Sequence, residues 1–115
     1  MPLLALQTSV PLSNQQRHEL LAPLSQIVAE CIGKPERYVM VTLHQTAMLM
    51  SGTEGPAAYA EIRSIGNLSS EVNRELSKRI CALLHERLGI PSDRIYLGFT
   101  SVAATHWGWN GNTFG

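Results

Sequence analysis

The chain has 115 residues, the size of one ordinary domain. Nine Lys and Arg balance nine Asp and Glu, which argues against a generic binder of nucleic acid or anionic membranes, because such proteins carry a basic excess. The composition is globular, with 44% hydrophobic and 16% charged residues, and no apolar run approaches the roughly 18 residues of a membrane-spanning helix. We therefore expect a single domain over residues 1–115 that binds neither nucleic acid nor membranes.

The first ten residues lack the charged and long apolar stretches of a secretory signal, so we expect a cytoplasmic protein, with leaderless secretion as an alternative. Cys31 and Cys81 form no CxxC and no zinc pattern, and we interpret them as reduced thiols. The four histidines are dispersed and lack ligand spacing, so no metal or organic cofactor is expected. They are His18, His44, His85 and His106.

The first part of the chain predicts a strand, a helix and a second strand. Apolar residues alternate over Leu4–Val10, as is typical of a half-buried strand. A capping-box signature at Ser13 then begins an apolar stripe at helical spacing. Pro23 lies inside this pattern, and we expect a kink or a frayed first turn there. The helix should end at Gly33, and a second strand should cover Tyr38–His44.

The same order of elements follows 56 positions later. Alternation over Ala58–Ser64 predicts a strand, a helix should start near Ser69 or Ser70 and end at Gly89, and Ile95–Ser101 should form the last strand. Identical residues recur at this offset in both copies. They include Leu12 and Leu68, Glu19 and Glu75, Gly33 and Gly89, and Pro35 and Pro91.

A period of this length in two copies indicates a duplicated supersecondary unit rather than a solenoid. The two copies span about 2–45 and 58–101, with a C-terminal segment at 102–115. The predicted fold is α/β (α+β), a tandem βαβ–βαβ repeat. Right-handed crossovers make the strands of each unit parallel and put both helices on one face of a four-stranded mixed sheet. Because two helices cover only one face, we also expect an oligomer with closed symmetry.

Pro2 is the chemically distinctive residue of the first strand. Methionine before proline is commonly removed after synthesis, which leaves Pro2 with a free secondary amine on a rigid element. An α-amine has a pKa of about 7.7–8.0, and burial or a nearby cation lowers it, so that a neutral general base is available. The alternative is a proline that is merely tolerated at a strand start.

Several short motifs follow one another in a characteristic order. They are Met1-Pro2, Gly33-Lys34-Pro35, Ser64-Ile65-Gly66, Pro91 through Tyr96, Gly108-Trp109-Asn110 and Thr113-Phe114. Together they closely resemble the macrophage migration inhibitory factor and D-dopachrome tautomerase family of the tautomerase superfamily, over the whole chain. The resemblance implies a homotrimer with an active site at each subunit interface. It also implies an isomerase that interconverts the keto and enol forms of small aromatic 2-keto acids such as phenylpyruvate.

The resemblance assigns roles to single residues. Pro2 corresponds to the catalytic base, Lys34 to the lysine that meets the substrate carboxylate, and Ile65 to a backbone donor, with Ser64 beside it. The remaining predicted substrate-binding residues are aromatic: Tyr38, Tyr96, Trp107, Trp109 and Phe114. Ordinary structural roles are the alternative, since a lysine suits a helix C-terminus and aromatic residues are common in cores and interfaces.

The sequence departs from the family at five positions. Gly98 stands where the family often has Asn, which removes one polar substrate contact. Trp107 stands where the family often has a small aliphatic residue, and it should narrow or reshape the pocket. Arg63 replaces a common histidine. Ala57 and Ala60 occupy the positions of the CxxC found in animal members, so no thiol–disulfide oxidoreductase activity is expected. We therefore expect weak activity toward phenylpyruvate.

Two further interpretations remain open at this point. Animal members of the family are secreted cytokines, so the chain is alternatively a trimer that binds a protein receptor and whose tautomerase activity is incidental. A trimeric scaffold with a relic pocket is the third interpretation. Turnover of phenylpyruvate separates the enzyme from the scaffold.

Overall fold

A computed structural model describes residues 1–115, and it contains two helices, a four-stranded sheet and a short hairpin. The strands are β1 (Pro2–Thr8), β2 (Met40–Gln45), β3 (Ala58–Ser64), β4 (Ile95–Ser101), β5 (Gly108–Trp109) and β6 (Asn112–Thr113). The helices are α1 (Asn14–Ile32) and α2 (Ser70–Leu88). Short 3₁₀ turns cover Glu36–Tyr38, Ser92–Arg94 and Ala104–His106.

The main sheet has the strand order β2-β1-β3-β4. The central strands β1 and β3 are antiparallel, and Pro2 is paired with Ser64. The outer strands are parallel to their inner neighbours, with Leu4 beside Val41 and Tyr59 beside Tyr96. The expected mixed sheet built from two βαβ units is confirmed.

Both helices begin and end where the sequence signals place them. At the start of α1, the Ser13 hydroxyl and the Gln16 side chain form a reciprocal capping box. Each helix ends at a glycine in the left-handed region, Gly33 (φ 76°) and Gly89 (φ 68°), where a residue with a Cβ would be strained. Helix α1 continues through Pro23, and the capping box orders its first turn, so the expected fraying is wrong.

The hydrophobic core lies between the helices and one face of the sheet. Leu4, Leu6 and Ile62 on the sheet are fully buried, as are Leu24 and Leu76 on the helices. Burial of one such side chain stabilises the fold by about 1.5–3 kcal/mol. No helix combines the length and the hydrophobicity needed to cross a membrane.

The opposite face of the sheet has no helix against it. Leu3, Ala5 and Tyr59 project there, and Met40 and Tyr96 on the outer strands are 62% and 66% exposed. The same face also carries polar residues such as Gln7 and Glu61, and a sheet face without a covering layer is a surface that association can bury.

Some strand boundaries differ from the sequence prediction by one or two residues. The second strand begins at Met40, not at Tyr38, because the Tyr38 backbone N–H donates to Pro35 O at 3.0 Å and closes a 3₁₀ turn. The first strand ends at Thr8, and Val10 lies beyond it, where its backbone N–H donates to the Thr8 hydroxyl. Alternating hydrophobicity does not detect such local turns.

The 56-residue offset relates the elements of the two halves. Adding 56 to the bounds of β1, α1 and the first 3₁₀ turn gives the bounds of β3, α2 and the second 3₁₀ turn. Backbone hydrogen bonds repeat as well. The Thr46 N–H donates to Thr8 O at 2.9 Å, and the equivalent Val102 N–H donates to Ser64 O at 2.8 Å.

Candidate active site

A cavity of about 510 Å³ lies at the end of the sheet where β1 and β2 begin and β3 ends. Five of the predicted site residues line it: Pro2, Tyr38, Trp107, Trp109 and Phe114. The other lining residues are Met1, Leu3, Arg37, Val39, Met40, Arg63, His106 and Gly108. The structure thus brings together residues that are far apart in the sequence.

The C-terminal segment forms the aromatic wall of the cavity. The rings of Trp109 and Phe114 stack with centroids 5.6 Å apart and planes inclined by 9°, and Tyr38 meets Trp109 edge to face at 6.2 Å. The Phe114 N–H donates to Trp107 O at 3.2 Å, which closes the hairpin of β5 and β6 onto the cavity. The wall is apolar and flat, which suits an aryl ring.

The α-amino group lies in the same place. Partial burial, and next the positive charge of Lys34, lower the pKa of the Met1 α-amino group below its ordinary value. Both effects disfavour the protonated form. Lys34 does not line the cavity, but its charge reaches the amine from the residue after the α1 C-cap.

Ser64 and Ile65 lie at the end of β3, directly beside Pro2. The Ser64 side chain is fully buried, and its Oγ has no hydrogen-bond partner. A buried hydroxyl without a partner is uncommon in proteins and costs about 1–3 kcal/mol. Neither residue lines the cavity.

The equivalent residues at the other end of the sheet are fully bonded. There, the Thr8 hydroxyl donates to Ala57 O at 2.8 Å, and the Ser9 N–H donates to the same oxygen at 3.2 Å. The 56-residue offset makes Met1 the counterpart of Ala57, yet no bond from Ser64 or Ile65 reaches the Met1 carbonyl. Two donors beside Pro2 therefore lack the acceptor that their counterparts have.

Tyr96 lies far from the other predicted site residues within one chain. It is on the outer strand β4, whose residue Ser101 is paired with Ser64 of β3. At about 3.3 Å per residue, Tyr96 lies about 17 Å along the strand from Ser101. Pro2 is two strands further across the sheet. A single chain does not bring Tyr96 to the cavity.

Gly98 has a role that the sequence comparison did not indicate. A Cβ at this position would lie 2.9 Å from the Tyr59 hydroxyl, because the Tyr59 side chain extends over Gly98 on the helix-free face of the sheet. The glycine therefore makes room for a tyrosine whose hydroxyl occupies the space of the missing side chain.

Sequence reasoning also missed Arg37, His106 and Met40 as lining residues, and it noted Arg63 only as a departure. The position of Arg37 beside Tyr38 was the available signal. The guanidinium carbon of Arg37 lies 4.8 Å from the centroid of the Tyr38 ring, in cation–π contact.

Comparison with known proteins gives one family over the whole chain. The family model of macrophage migration inhibitory factor matches residues 1–115. The chain is 39% identical to macrophage migration inhibitory factor of Meriones unguiculatus, with 99% of both chains covered. It is also similar to a solved macrophage migration inhibitory factor homologue from Prochlorococcus marinus, with 45% identity, a TM-score of 0.92 and coverage of 98% of this chain and 99% of that one.

The homologue from Entamoeba histolytica is 29% identical with a TM-score of 0.94, over 98% of both chains. Fold and sequence agree across these relatives. The chain therefore belongs to the macrophage migration inhibitory factor family, which has the fold of the tautomerase superfamily.

Proposed function

We propose that the protein is a keto–enol tautomerase acting on phenylpyruvate-like 2-keto acids, with Pro2 as general base after removal of Met1. The observation that carries this proposal is that Pro2 lines an aromatic cavity next to the Met1 α-amino group, whose pKa is lowered there by burial and by Lys34. Family membership supports the reaction type, and the positions of the residues around the cavity support their individual roles.

The base is the nitrogen of Pro2. Removal of Met1 makes this nitrogen the α-amine, one residue deeper in the structure, where burial disfavours its protonated form. The neutral amine takes a proton from the carbon next to the keto group. The C–H electron pair forms the new C=C bond while the C=O electrons move to oxygen, and the same nitrogen returns the proton to that oxygen.

Ser64 and Ile65 supply donors for the developing oxygen charge. At the other end of the sheet, Thr8 and Ser9 hold the carbonyl oxygen of Ala57 with a hydroxyl and an N–H. We infer that a substrate oxygen takes the equivalent position beside Pro2, where the hydroxyl of Ser64 and the N–H of Ile65 are free. Donors that are fixed in place before the reaction stabilise a charge that appears during it.

Lys34 and the aromatic wall orient the substrate. Lys34 approaches the amine closely enough to lower its pKa, so a carboxylate bound beside the amine gains its attraction. The stacked rings of Trp109 and Phe114 offer a face for the aryl group, and Trp107 limits its size.

The active unit is a trimer in this proposal. The helix-free sheet face carries Met40 and Tyr96, both largely exposed in one chain, and association covers it. Tyr96 then joins the cavity of a neighbouring copy, which explains how a predicted site residue lies so far from Pro2 within its own chain.

The decisive experiment combines intact mass, light scattering and an enol–keto assay with phenylpyruvate. We expect a chain lacking Met1, a trimer, and weak turnover. Retention of Met1 on an active protein contradicts the role of Pro2, and a monomer at micromolar concentration contradicts the shared site. A processed trimer without turnover contradicts the enzyme and leaves the receptor-binding trimer and the trimeric scaffold as interpretations.

A further inference from the structure

The cavity contains two arginines whose charges the chain leaves unpaired. Arg37 and Arg63 both line it, while the one ion pair of the chain joins Arg79 to Glu30 elsewhere. Arg94, by contrast, has a structural role, because its guanidinium makes four hydrogen bonds to the loop before β3. Arg37 and Arg63 have no such partners.

No carboxylate lines the cavity. The chain as a whole has as many acidic as basic residues, yet none of the thirteen lining residues is Asp or Glu. Glu36 precedes Arg37 and Glu61 lies two residues before Arg63, but neither forms an ion pair. Charges of one sign in a concave, partly apolar site focus a positive potential, so the cavity favours anionic ligands.

A single carboxylate leaves part of this charge unused. In the proposed function, Lys34 attracts the carboxylate beside the keto group, on the amine side of the cavity. Arg37 contacts the Tyr38 ring, Arg63 lies next to the last residue of β3 opposite Leu3, and neither has a role in that function. A cavity of about 510 Å³ falls within the range that holds drug-sized ligands, so it has room for a longer acid.

We propose that the substrate carries a second anionic group in addition to the carboxylate of its 2-keto acid, and that Arg37 and Arg63 bind this group. The substrate class is then a 2-keto diacid with an aryl or similarly flat spacer. Guanidinium groups match the geometry of a carboxylate better than an ammonium does. Arginines are therefore suited to select a substrate by its second carboxylate. This inference rests on the proposed tautomerase function.

The test compares phenylpyruvates that carry a para-carboxylate or a para-carboxamide, two groups of similar shape that differ in charge. We expect kcat/KM to favour the carboxylate by about tenfold, mainly through KM, as for a charge-assisted hydrogen bond in a partly open site. The double variant Arg37→Gln/Arg63→Gln should bring the ratio of kcat/KM for the two substrates close to one. The matched control is Arg74→Gln/Arg87→Gln, which removes the same two charges from exposed positions on α2 and should retain the preference.

The possible outcomes separate this inference from the function on which it rests. Equal kcat/KM for both substrates overturns the inference and leaves the tautomerase intact. Equal loss of preference in the control also overturns it, because the effect then comes from overall charge. If no keto acid is turned over, the proposed function fails, and the affinities of the unreactive para-carboxycinnamate and para-carbamoylcinnamate decide the matter. Tighter binding of para-carboxycinnamate, abolished in the double variant, supports binding of two anionic groups. Equal binding of the two compounds overturns the inference.

Discussion

At the end of the sheet where β1 finishes, the Thr8 hydroxyl and the Ser9 N–H hold the carbonyl of Ala57, and Arg94 binds the carbonyls of Met50, Thr53 and Pro56. We call this the closed end. The open end is the one at which β1 starts, and the 56-residue offset places Ser64 and Ile65 there in the positions of Thr8 and Ser9. Tyr38 takes the place of Arg94. At the open end the donors are unpaired, and a cavity lies where the closed end has a bonded loop.

The difference comes from the segment that precedes the strand at each end. Residues 46–57 lead into β3, bring the Ala57 carbonyl into position and are fastened by Arg94. At the open end Met1 precedes β1, and the C-terminal segment crosses the space with aromatic side chains. The position of Lys34 is taken at the closed end by Ile90, which is fully buried. The two repeats therefore share the strands and helices, and the cavity lies at the end where the segment before the strand differs between them.

The largest expected effect is on the base. Pro2→Gly should reduce tautomerase activity by at least about 100-fold, the usual contribution of a positioned general base, since a primary amine on a looser backbone replaces a rigid secondary one. The control is Ala58→Gly, which introduces a glycine at the equivalent position of the closed end and should leave activity within about twofold. The measurement is the enol–keto assay on mass-verified protein. Similar activity in both variants would remove Pro2 from the mechanism.

Arg94→Gln tests the closed end. Loss of the bonds from Arg94 to the loop should lower the free energy of unfolding by about 2 kcal/mol, since each net hydrogen bond is worth about 0.5–1.5 kcal/mol. Activity per folded molecule should not change. Urea titration measures the stability, and a variant that keeps its stability but loses activity would show that the two ends are coupled.

Ser64→Ala and Thr8→Val should have opposite consequences. Ser64→Ala removes an unpaired hydroxyl, so stability should stay equal or rise while activity falls by about tenfold or more with the loss of a donor. Thr8→Val removes two hydrogen bonds and should cost about 1–2 kcal/mol of stability with activity retained. Thermal melts and kcat values decide, and destabilisation by Ser64→Ala would mean that its hydroxyl is bonded after all.

The smallest effect concerns Lys34. Its charge lowers the pKa of the Met1 α-amino group, and we expect the same effect on the Pro2 amine once Met1 is removed. Lys34→Gln should then raise that pKa, and the rise of activity with pH should move to higher pH because only the neutral amine acts as base. Burial is the larger cause and persists in the variant, which keeps the displacement modest. Lys78→Gln on α2 is the control for overall charge. An unmoved profile would indicate that Lys34 acts on the substrate alone.

The sequence was sufficient for the elements that depend on periodicity and end signals. The capping box at Ser13 and the glycines at positions 33 and 89 fix the helices, and alternation fixes Ala58–Ser64 to the residue. It was not sufficient for contacts between distant segments. That Tyr59 covers Gly98, or that Arg37 and Arg63 share one cavity, depends on which strands become neighbours and on the path of the C-terminal segment. Neither periodicity nor motif spacing encodes those distances.

The aromatic wall has a practical consequence for spectroscopy. The chain contains two tryptophans, Trp107 and Trp109, and both line the cavity, while the core contains none. Indole emission from this protein therefore reports the cavity alone. A bound aryl acid should quench this emission without any change in fold. Loosening of the core between the helices and the sheet should leave the emission unchanged until the C-terminal hairpin itself detaches.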